Sequence, residues 1–287
     1  MSSNPQFDSS KGFSITGPPN PSWAYGQNVD ATPGGREWLE GEKAGWKTVD
    51  TAIEDPHKLY GLMISGIVPR PVAFVSTISE DGSTNLAPFS WFNQVSAFPP
   101  VISVSCTRSA DLTRVKDTVR NIKDTKGFTV NIISEPWVAQ ANVSSVDAPE
   151  GFSEWPISGL TKQPSASPVA DAILFIKLRE SQIHVKAPRV KESAFSMECE
   201  LLQAIDIQDP VSSEVTTTLI LGSVKYIHVR NDVLNERGGI DPAKFKPVAR
   251  MGGTLYARIN DGYNIERYNW REHEKPIRDS ILSKSDL

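Results

Sequence analysis

The segment between residues 72 and 229 constrains the fold most, because its apolar runs predict strands that follow one another without long helices between them. Thr216–Val229 (TTTLILGSVKYIHV) is long and rich in β-branched residues, and Val72–Ile78 (VAFVSTI) is followed by the turn signal Asp81-Gly82. Helices are predicted only at Thr118–Thr125 and Pro136–Ser144. Further strands are predicted at Asn85–Val95, Val101–Cys106, Phe128–Ile133 and Ser196–Ile207. The predicted fold class is therefore mainly β (α+β), a closed or partly closed antiparallel barrel with a few peripheral helices.

Composition narrows the function classes. The net charge is -4 and the basic residues are dispersed, which gives no electrostatic footprint for nucleic acid. No apolar run approaches the ~20 residues that a membrane helix needs, and the N-terminus lacks the order of a signal peptide. The two cysteines cannot form a disulfide framework or a four-ligand zinc site. We therefore expect a cytoplasmic protein that binds neither nucleic acid nor membrane.

The common catalytic and metal-binding motifs are absent from the sequence. There is no G-x-G-x-x-G after a strand, no P-loop and no G-x-S-x-G. The four histidines have no metal-ligand spacing, so the sequence predicts no metal site and no catalytic residue. They are His57, His184, His228 and His273. His228 lies within a predicted strand, where we expect a paired core or interface side chain.

The first 49 residues differ from the rest of the chain. They are rich in proline and glycine and show no sustained strand or helix period. Their aromatic residues include Trp23, Tyr25, Trp38 and Trp46. We predict that residues 1–49 form an arm that lays these rings on the main body or on a partner subunit. A single domain is expected at residues 50–270 and a polar C-terminal tail at residues 271–287.

Residues 107–121 (TRSADLTRVKDTVRN) are suited to binding a phosphate. A helix is predicted to begin at Asp117 or Thr118. Backbone N–H groups at a helix start, with nearby cations, stabilise a dianionic phosphate. The cations within one loop of this start are Arg108, Arg114 and Lys116. The same residues also fit a solvated helix start with ordinary surface charges.

The strand Asn85–Asn93 (NLAPFSWFN) is suited to a flat polar ring. Pro88 interrupts the strand, which implies a bulge or a sheet edge and frees neighbouring backbone groups to face a ligand. Phe89 and Trp91 would cover the faces of the ring or, alternatively, belong to the core. Arg70 lies between two prolines on a stiff segment and is either a structural arginine or a ligand contact.

These blocks together resemble the flavin-reductase-like, FMN-binding split-barrel family. The longest is Ile64–Ser105 (ISGIVPRPVAFVSTISEDGSTNLAPFSWFNQVSAFPPVISVS). The resemblance spans residues 48–270 and is strongest to fungal flavoprotein oxidoreductases, whose members also carry an arm rich in tryptophan, proline and glycine. The later blocks follow in the family's order: KDTVRNI at Lys116–Ile122, FTVNII at Phe128–Ile133, SEWPISGL at Ser153–Leu160, PRVKESAFSMECELL at Pro188–Leu202 and PVARMGGTLYA at Pro247–Ala257.

The resemblance implies a Greek-key split barrel that forms a homodimer and binds FMN near the subunit interface. Matched to the family's motifs, Ser76, Thr77 and Ile78 would lie along the flavin ring. The residues that would line the ring and the ribityl chain are Ala87, Pro88, Phe89, Ser90 and Trp91. The residues expected around the phosphate are Cys106, Arg108, Lys116, Asp117 and Thr118. Arg250 and Gly252 would close the pocket from the C-terminal side, and Arg70 is included as a cofactor contact.

The resemblance also implies an activity, that of an NAD(P)H-dependent flavin reductase that passes electrons to a small-molecule acceptor. Such a reaction needs stacking and orientation rather than an acid/base pair, because the cofactor carries the chemistry. The alternatives are a flavin-dependent oxidase or oxygenase of a small organic substrate, and a non-catalytic flavin-binding carrier. The choice between NADH and NADPH stays open. Residues 168–184, with the apolar run Ala172–Leu178, are an insertion relative to the family pattern.

Overall fold

The computed structural model describes residues 4–108, 114–165 and 185–285. The chain divides into two compact units, one formed by Met1–Tyr60 with Asn260–Leu287 and the other by Gly61–Ile259. This division differs from the predicted boundaries at residues 49/50 and 270/271, because the N-terminal segment groups with the C-terminal segment. The insertion at residues 168–184, which includes Ala172–Leu178 and ends at His184, lies outside the described residues.

The described residues form strands that are numbered here in chain order. Strands β1–β13 are Ser14–Thr16, Ala73–Ile78, Thr84–Phe89, Phe92–Ala97, Pro100–Thr107, Gly127–Ile132, Lys162–Gln163, Arg189–Val190, Phe195–Gln208, Val215–Val229, Val248–Arg250, Tyr256–Arg258 and Asp261–Tyr263.

Helices in the described residues are few and mostly short. Helices α1–α7 are Pro33–Glu40, Pro56–Gly66, Asp117–Thr125, Val138–Val143, Trp155–Ser158, Pro242–Phe245 and Trp270–Ser285. Single 3₁₀ turns are Val29–Ala31, Gly41–Ala44, Glu135–Trp137 and Asn231–Val233. Among the described residues, no helix combines the length and the apolar character needed to cross a membrane.

A seven-stranded antiparallel sheet is the centre of the Gly61–Ile259 unit. Its strand order is β3-β2-β6-β9-β10-β5-β4, so β3 and β4 are its two edges although they follow one another in the chain. All strands predicted between residues 72 and 229 are found, with the single predicted strand at residues 85–95 divided into β3 and β4. The mainly β fold class is therefore confirmed.

The sheet buries both of its faces, and β2 shows how. Ala73 and Val75 point into the main core with Phe128, while Phe74 points to the opposite face. There Phe74 packs in a second core whose Trp137 ring lies 5.9 Å from its own. A strand covered on both sides reads as a continuous apolar run, which is what VAFV shows.

Helix α3 covers one opening of the main core. Val119 and Ile122 are buried in that core, three positions apart on one helix face. The helix ends at Lys126, whose positive φ of 65° turns the chain directly into β6. This packing fixes the position of the helix start at Lys116–Thr118.

Gly222 on strand β10 leaves the space that the Phe128 ring occupies in the main core. A Cβ added to Gly222 would lie 2.5 Å from Cζ of Phe128, which is fully buried. Any side chain at this position would therefore displace that ring.

His228 is a paired histidine, as predicted. Its Nε2 lies 2.7 Å from Oε1 of Glu198, a fully buried carboxylate on the neighbouring strand β9.

The Met1–Tyr60 and Asn260–Leu287 segments are joined by strand pairing and ring packing. Strand β1 pairs in parallel with β13, Ser14 opposite Asp261 and Thr16 opposite Tyr263. An aromatic cluster, with ring centroids between 5.1 and 6.1 Å apart, consists of Trp23, Tyr25, Tyr268 and His273. Of the four rings named in the arm, three are exposed, Trp23 at 44%, Trp38 at 80% and Trp46 at 87%. The docking of the arm on the main body or on a partner subunit stays a prediction.

Candidate functional site

A pocket between strand β3 and the start of helix α3 brings together part of the predicted site. Its volume is about 80 Å³, against roughly 30 Å³ for one water molecule in the liquid, and we call it the phosphate-sized pocket. Of the predicted residues, it contains Ala87, Pro88, Phe89, Arg114, Lys116, Asp117 and Thr118. The other lining residues are Asn85, Ser144, Ser145, Val146, Asp147, Ala148, Pro149 and Glu154.

Strand β3 supplies one wall because it is a sheet edge. Pro88 lies opposite Phe74 and has no N–H to donate, which confines it to an edge, as its sequence position predicted. On the same strand the Leu86 N–H donates to Oε2 of Glu154 at 2.9 Å. Glu154 is 6% exposed, and burial raises the pKa of its carboxyl.

The start of helix α3 supplies the opposite wall. Lys116 is the N-cap residue and has extended backbone. The carboxylate of Asp117 accepts from the Arg120 guanidinium and from the Gly151 N–H, each at 2.8 Å, so it is held within the protein. Thr118 Oγ1 accepts from Nδ2 of Asn85 at 2.8 Å, which ties the helix start to β3.

The loop after helix α4 closes the pocket. Ser144 is 1% exposed, and its Oγ has no hydrogen-bond partner among the described residues. Arg114 donates to the Ala148 carbonyl at 2.6 Å and thereby holds the loop near the helix start. A buried hydroxyl without a partner is costly, and an oxyanion would satisfy it.

The donors of this pocket fit the phosphate of a flavin mononucleotide. Lys116 provides a cation, the helix start provides the positive end of a dipole, and Ser144 Oγ is a buried hydroxyl that lacks a partner among the described residues. Ala87, Pro88 and Phe89 adjoin these donors and offer an apolar surface for the rest of the molecule.

The predicted hydroxyls of β2 lie one strand further in. Ser76 and Thr77 are fully buried, and Thr77 faces Asn85 of β3 across the sheet. Thr77 Oγ1 accepts from Asn121 Nδ2 at 3.0 Å, whereas Ser76 Oγ has no partner among the described residues. Ile78, at the end of β2, is half-buried. These residues border the pocket wall without lining the pocket itself.

Arg70 holds the fold together through backbone carbonyls. It is 7% exposed, and its guanidinium donates to the carbonyls of Ile64, Ile67 (2.8 Å) and Met251 (2.9 Å). Its Nε donates to Ser90 Oγ at 3.2 Å. These contacts favour the alternative that Arg70 is a structural arginine and not a ligand contact. Ser90, also predicted to line the flavin, accepts one of its hydrogen bonds.

Three further predicted residues lie on or beside strands β4 and β5: Trp91 directly precedes β4, Cys106 lies on β5, and Arg108 directly follows β5. Trp91 is 39% exposed, and its carbonyl accepts from the Ser105 N–H at 2.9 Å. Cys106 belongs to the main core, where burial raises its pKa to about 12. The Arg108 N–H donates to the Thr216 carbonyl at 3.0 Å. None of the three is among the residues that line the phosphate-sized pocket in the described chain.

Arg250 and Gly252 are not among the residues that line the phosphate-sized pocket. Arg250 lines a neighbouring pocket with Tyr256. Gly252 packs on the end of helix α2, where an added Cβ would lie 3.1 Å from Cβ of Ser65.

Sequence reasoning missed the loop at residues 144–149 and the role of Glu154. The loop has no motif of its own, because its contribution depends on where α4 ends in space. Glu154 stands in the block SEWPISGL, which carried the resemblance, but nothing local indicates that its carboxylate reaches β3.

Comparison with known proteins agrees with this geometry. A sequence profile of the flavin reductase like domain matches residues 65–248. An uncharacterized protein of Aquifex aeolicus is 35% identical over 204 residues, which are 71% of this chain and 91% of that protein.

Two solved structures share the fold. Nitrilotriacetate monooxygenase component B from Bacillus cereus is 31% identical, with a TM-score of 0.65 over 78% of this chain and 98% of that chain. A Shewanella frigidimarina protein, assigned as a flavin reductase with split barrel domain, is 20% identical, with a TM-score of 0.58 over 78% and 99% of the two chains. The expected split-barrel fold is thus confirmed, and the likeness supports a flavin-related oxidoreductase with a flavin cofactor. The chain belongs to the flavin reductase-like family.

Proposed function

We propose that this protein is an FMN-dependent oxidoreductase that takes electrons from NAD(P)H and passes them to a small-molecule acceptor. The observation that carries the proposal is the pocket between β3 and α3, where a lysine, a helix start and a buried hydroxyl without a described partner meet an apolar strand edge. FMN rather than riboflavin is favoured because the donors of the pocket suit a phosphate.

The residues of the chain act by binding and orienting. Lys116 and the first turn of α3 would hold the phosphate, and Ser144 Oγ would donate to it. Asn85 holds Thr118 in place, which keeps the helix start fixed against β3. When bound, FMN supplies the hydride acceptor and hence the redox chemistry. Ala87, Pro88 and Phe89 provide an apolar surface beside these donors that would help to orient the flavin.

The relative named as a monooxygenase component bears on the acceptor. That Bacillus cereus protein is 31% identical to this chain. Its name makes it one component of a monooxygenase, which fits a small-molecule acceptor that carries reducing equivalents on to another component, and we propose the same class of role here. The homodimer, the cytoplasmic location and the choice of nicotinamide stay predictions.

The test is spectroscopic and needs no knowledge of the acceptor. The purified protein, loaded with FMN and kept free of oxygen, is mixed with NADH or NADPH while the visible flavin absorbance is followed. Rapid bleaching, faster than for the same concentration of free FMN, is the expected result. Tight FMN binding without bleaching by either nicotinamide would identify a flavin carrier and contradict the proposal.

A further inference from the structure

A second pocket adjoins the phosphate-sized one. Its volume is about 390 Å³, and Ser145 lines both pockets. Its other lining residues are Val138, Ala139, Asn142, Arg250, Thr254 and Tyr256. Arg250 brings the only formal charge among these residues, and the polar groups beside it are neutral.

Arg250 is a cation without a matching anion in the described part of the chain. No carboxylate of the described residues forms an ion pair with Arg250, and its buried Nη1 has no hydrogen-bond partner there. Arg70, which pairs with Arg250 through the backbone, differs in this respect. Its guanidinium donates to three backbone carbonyls. A purely structural arginine is satisfied in that manner, whereas leaving a guanidinium N–H buried and unpaired costs free energy.

Both the backbone and the side chain of Arg250 are nevertheless held in place. In the backbone, the Arg250 N–H donates to the Arg70 carbonyl at 2.8 Å, and the Arg70 N–H donates to the Arg250 carbonyl at 3.0 Å. Tyr256 is its cross-strand neighbour, with the guanidinium carbon 4.6 Å from the ring centroid. The Tyr256 hydroxyl donates in turn to Oδ1 of Asn142 at 3.2 Å. A cation that is fixed before its ligand arrives loses little conformational entropy on binding.

We infer that Arg250 binds the oxyanion of a second ligand, a phosphate or a carboxylate, in a pocket separate from that of the flavin phosphate. The inference rests on the proposed function in that the second ligand is then the electron donor or the organic substrate. A dinucleotide would present phosphate oxygens there, and an organic acid would present a carboxylate. Both are planar or tetrahedral oxyanions that a guanidinium binds well.

The test measures binding to the FMN-loaded protein by calorimetry. Pyrophosphate and NADP⁺, which cannot reduce the flavin, are titrated as phosphate probes, and benzoate is titrated as a carboxylate probe. Arg250→Gln should weaken at least one probe class by tenfold or more, the loss expected when one charge-assisted hydrogen bond is removed. Arg250→Lys, which keeps the charge but not the planar fork, should fall between. The class that depends on Arg250 identifies the source of the oxyanion.

Controls separate the outcomes. Arg237→Gln removes the same charge from an exposed arginine outside the pocket and should bind every probe as the wild type does. The inference is overturned if Arg250→Gln binds all probes normally, or if it loses FMN as Lys116→Gln is expected to. Pyrophosphate and benzoate do not require turnover, so a wild type that fails to oxidise NAD(P)H would refute the proposed function while leaving this test intact.

Discussion

Replacing Lys116 by glutamine should weaken FMN binding about tenfold and leave riboflavin binding unchanged. The substitution removes the ammonium at the N-cap of α3 but keeps a side chain of similar length. A hydrogen bond to a charged group contributes about 1.5–3 kcal/mol. Lys116 is half-buried, so solvent screens part of this interaction. The lower end of the energy range therefore applies, and it corresponds to about a tenfold change in Kd. Riboflavin isolates the effect because it lacks the phosphate.

Arg108→Gln is the matched control. Both cations were predicted near the phosphate, yet of the two only Lys116 lines the pocket, while the Arg108 N–H pairs with the Thr216 carbonyl. Quenching of flavin fluorescence gives Kd for both ligands and both variants. Equal losses for FMN and riboflavin in Lys116→Gln would refute the assignment, as would a loss of FMN in Arg108→Gln as large as that in Lys116→Gln.

Three further predictions concern the scaffold. Gly222→Ala should lower the free energy of unfolding by about 1–3 kcal/mol, because its Cβ would overlap the Phe128 ring, and an unchanged urea midpoint would contradict that packing. Burial raises the folded-state pKa of Glu154, so its contribution to stability is complete at low pH and falls as the pH rises through the carboxyl range. Glu154→Gln should therefore gain stability relative to the wild type in urea titrations as the pH rises from about 4, near the ordinary pKa of a glutamate, towards neutrality, and a difference that does not change with pH would exclude this cause. Deleting residues 1–45 should lower the Tm, because the aromatic cluster loses the two rings that the arm contributes; a truncated protein with the wild-type Tm would show that the arm adds no stability.

The sheet could be predicted because its signals are local. β-Branched runs, an Asp-Gly turn and a proline at an edge each leave a pattern within a few residues, and the structure has strands β2, β3 and β10 where those patterns lie. The start of α3 was predictable for the same reason, since Lys116–Thr118 precede an apolar i, i+3 pair.

The rest of the site depends on contacts between distant segments. Glu154 reaches Leu86, sixty-eight positions away, and no local pattern encodes that bond. Cys106 matched a family motif, yet alternation along β5 turns its side chain into the core. Arg70 reads the same in sequence whether it binds a ligand or three carbonyls, and only the fold distinguishes the two.

The parallel pairing of β1 with β13 has a consequence for which segments related chains should share. These strands lie outside the profile match at residues 65–248, one before it and one after it, and each has only three residues. Both strands are largely exposed, so their pairing with each other is the backbone contact that sets their conformation. The two strands therefore form one structural element built from chain on either side of the family domain. Relatives of this chain that carry one of the two segments are expected to carry the other as well.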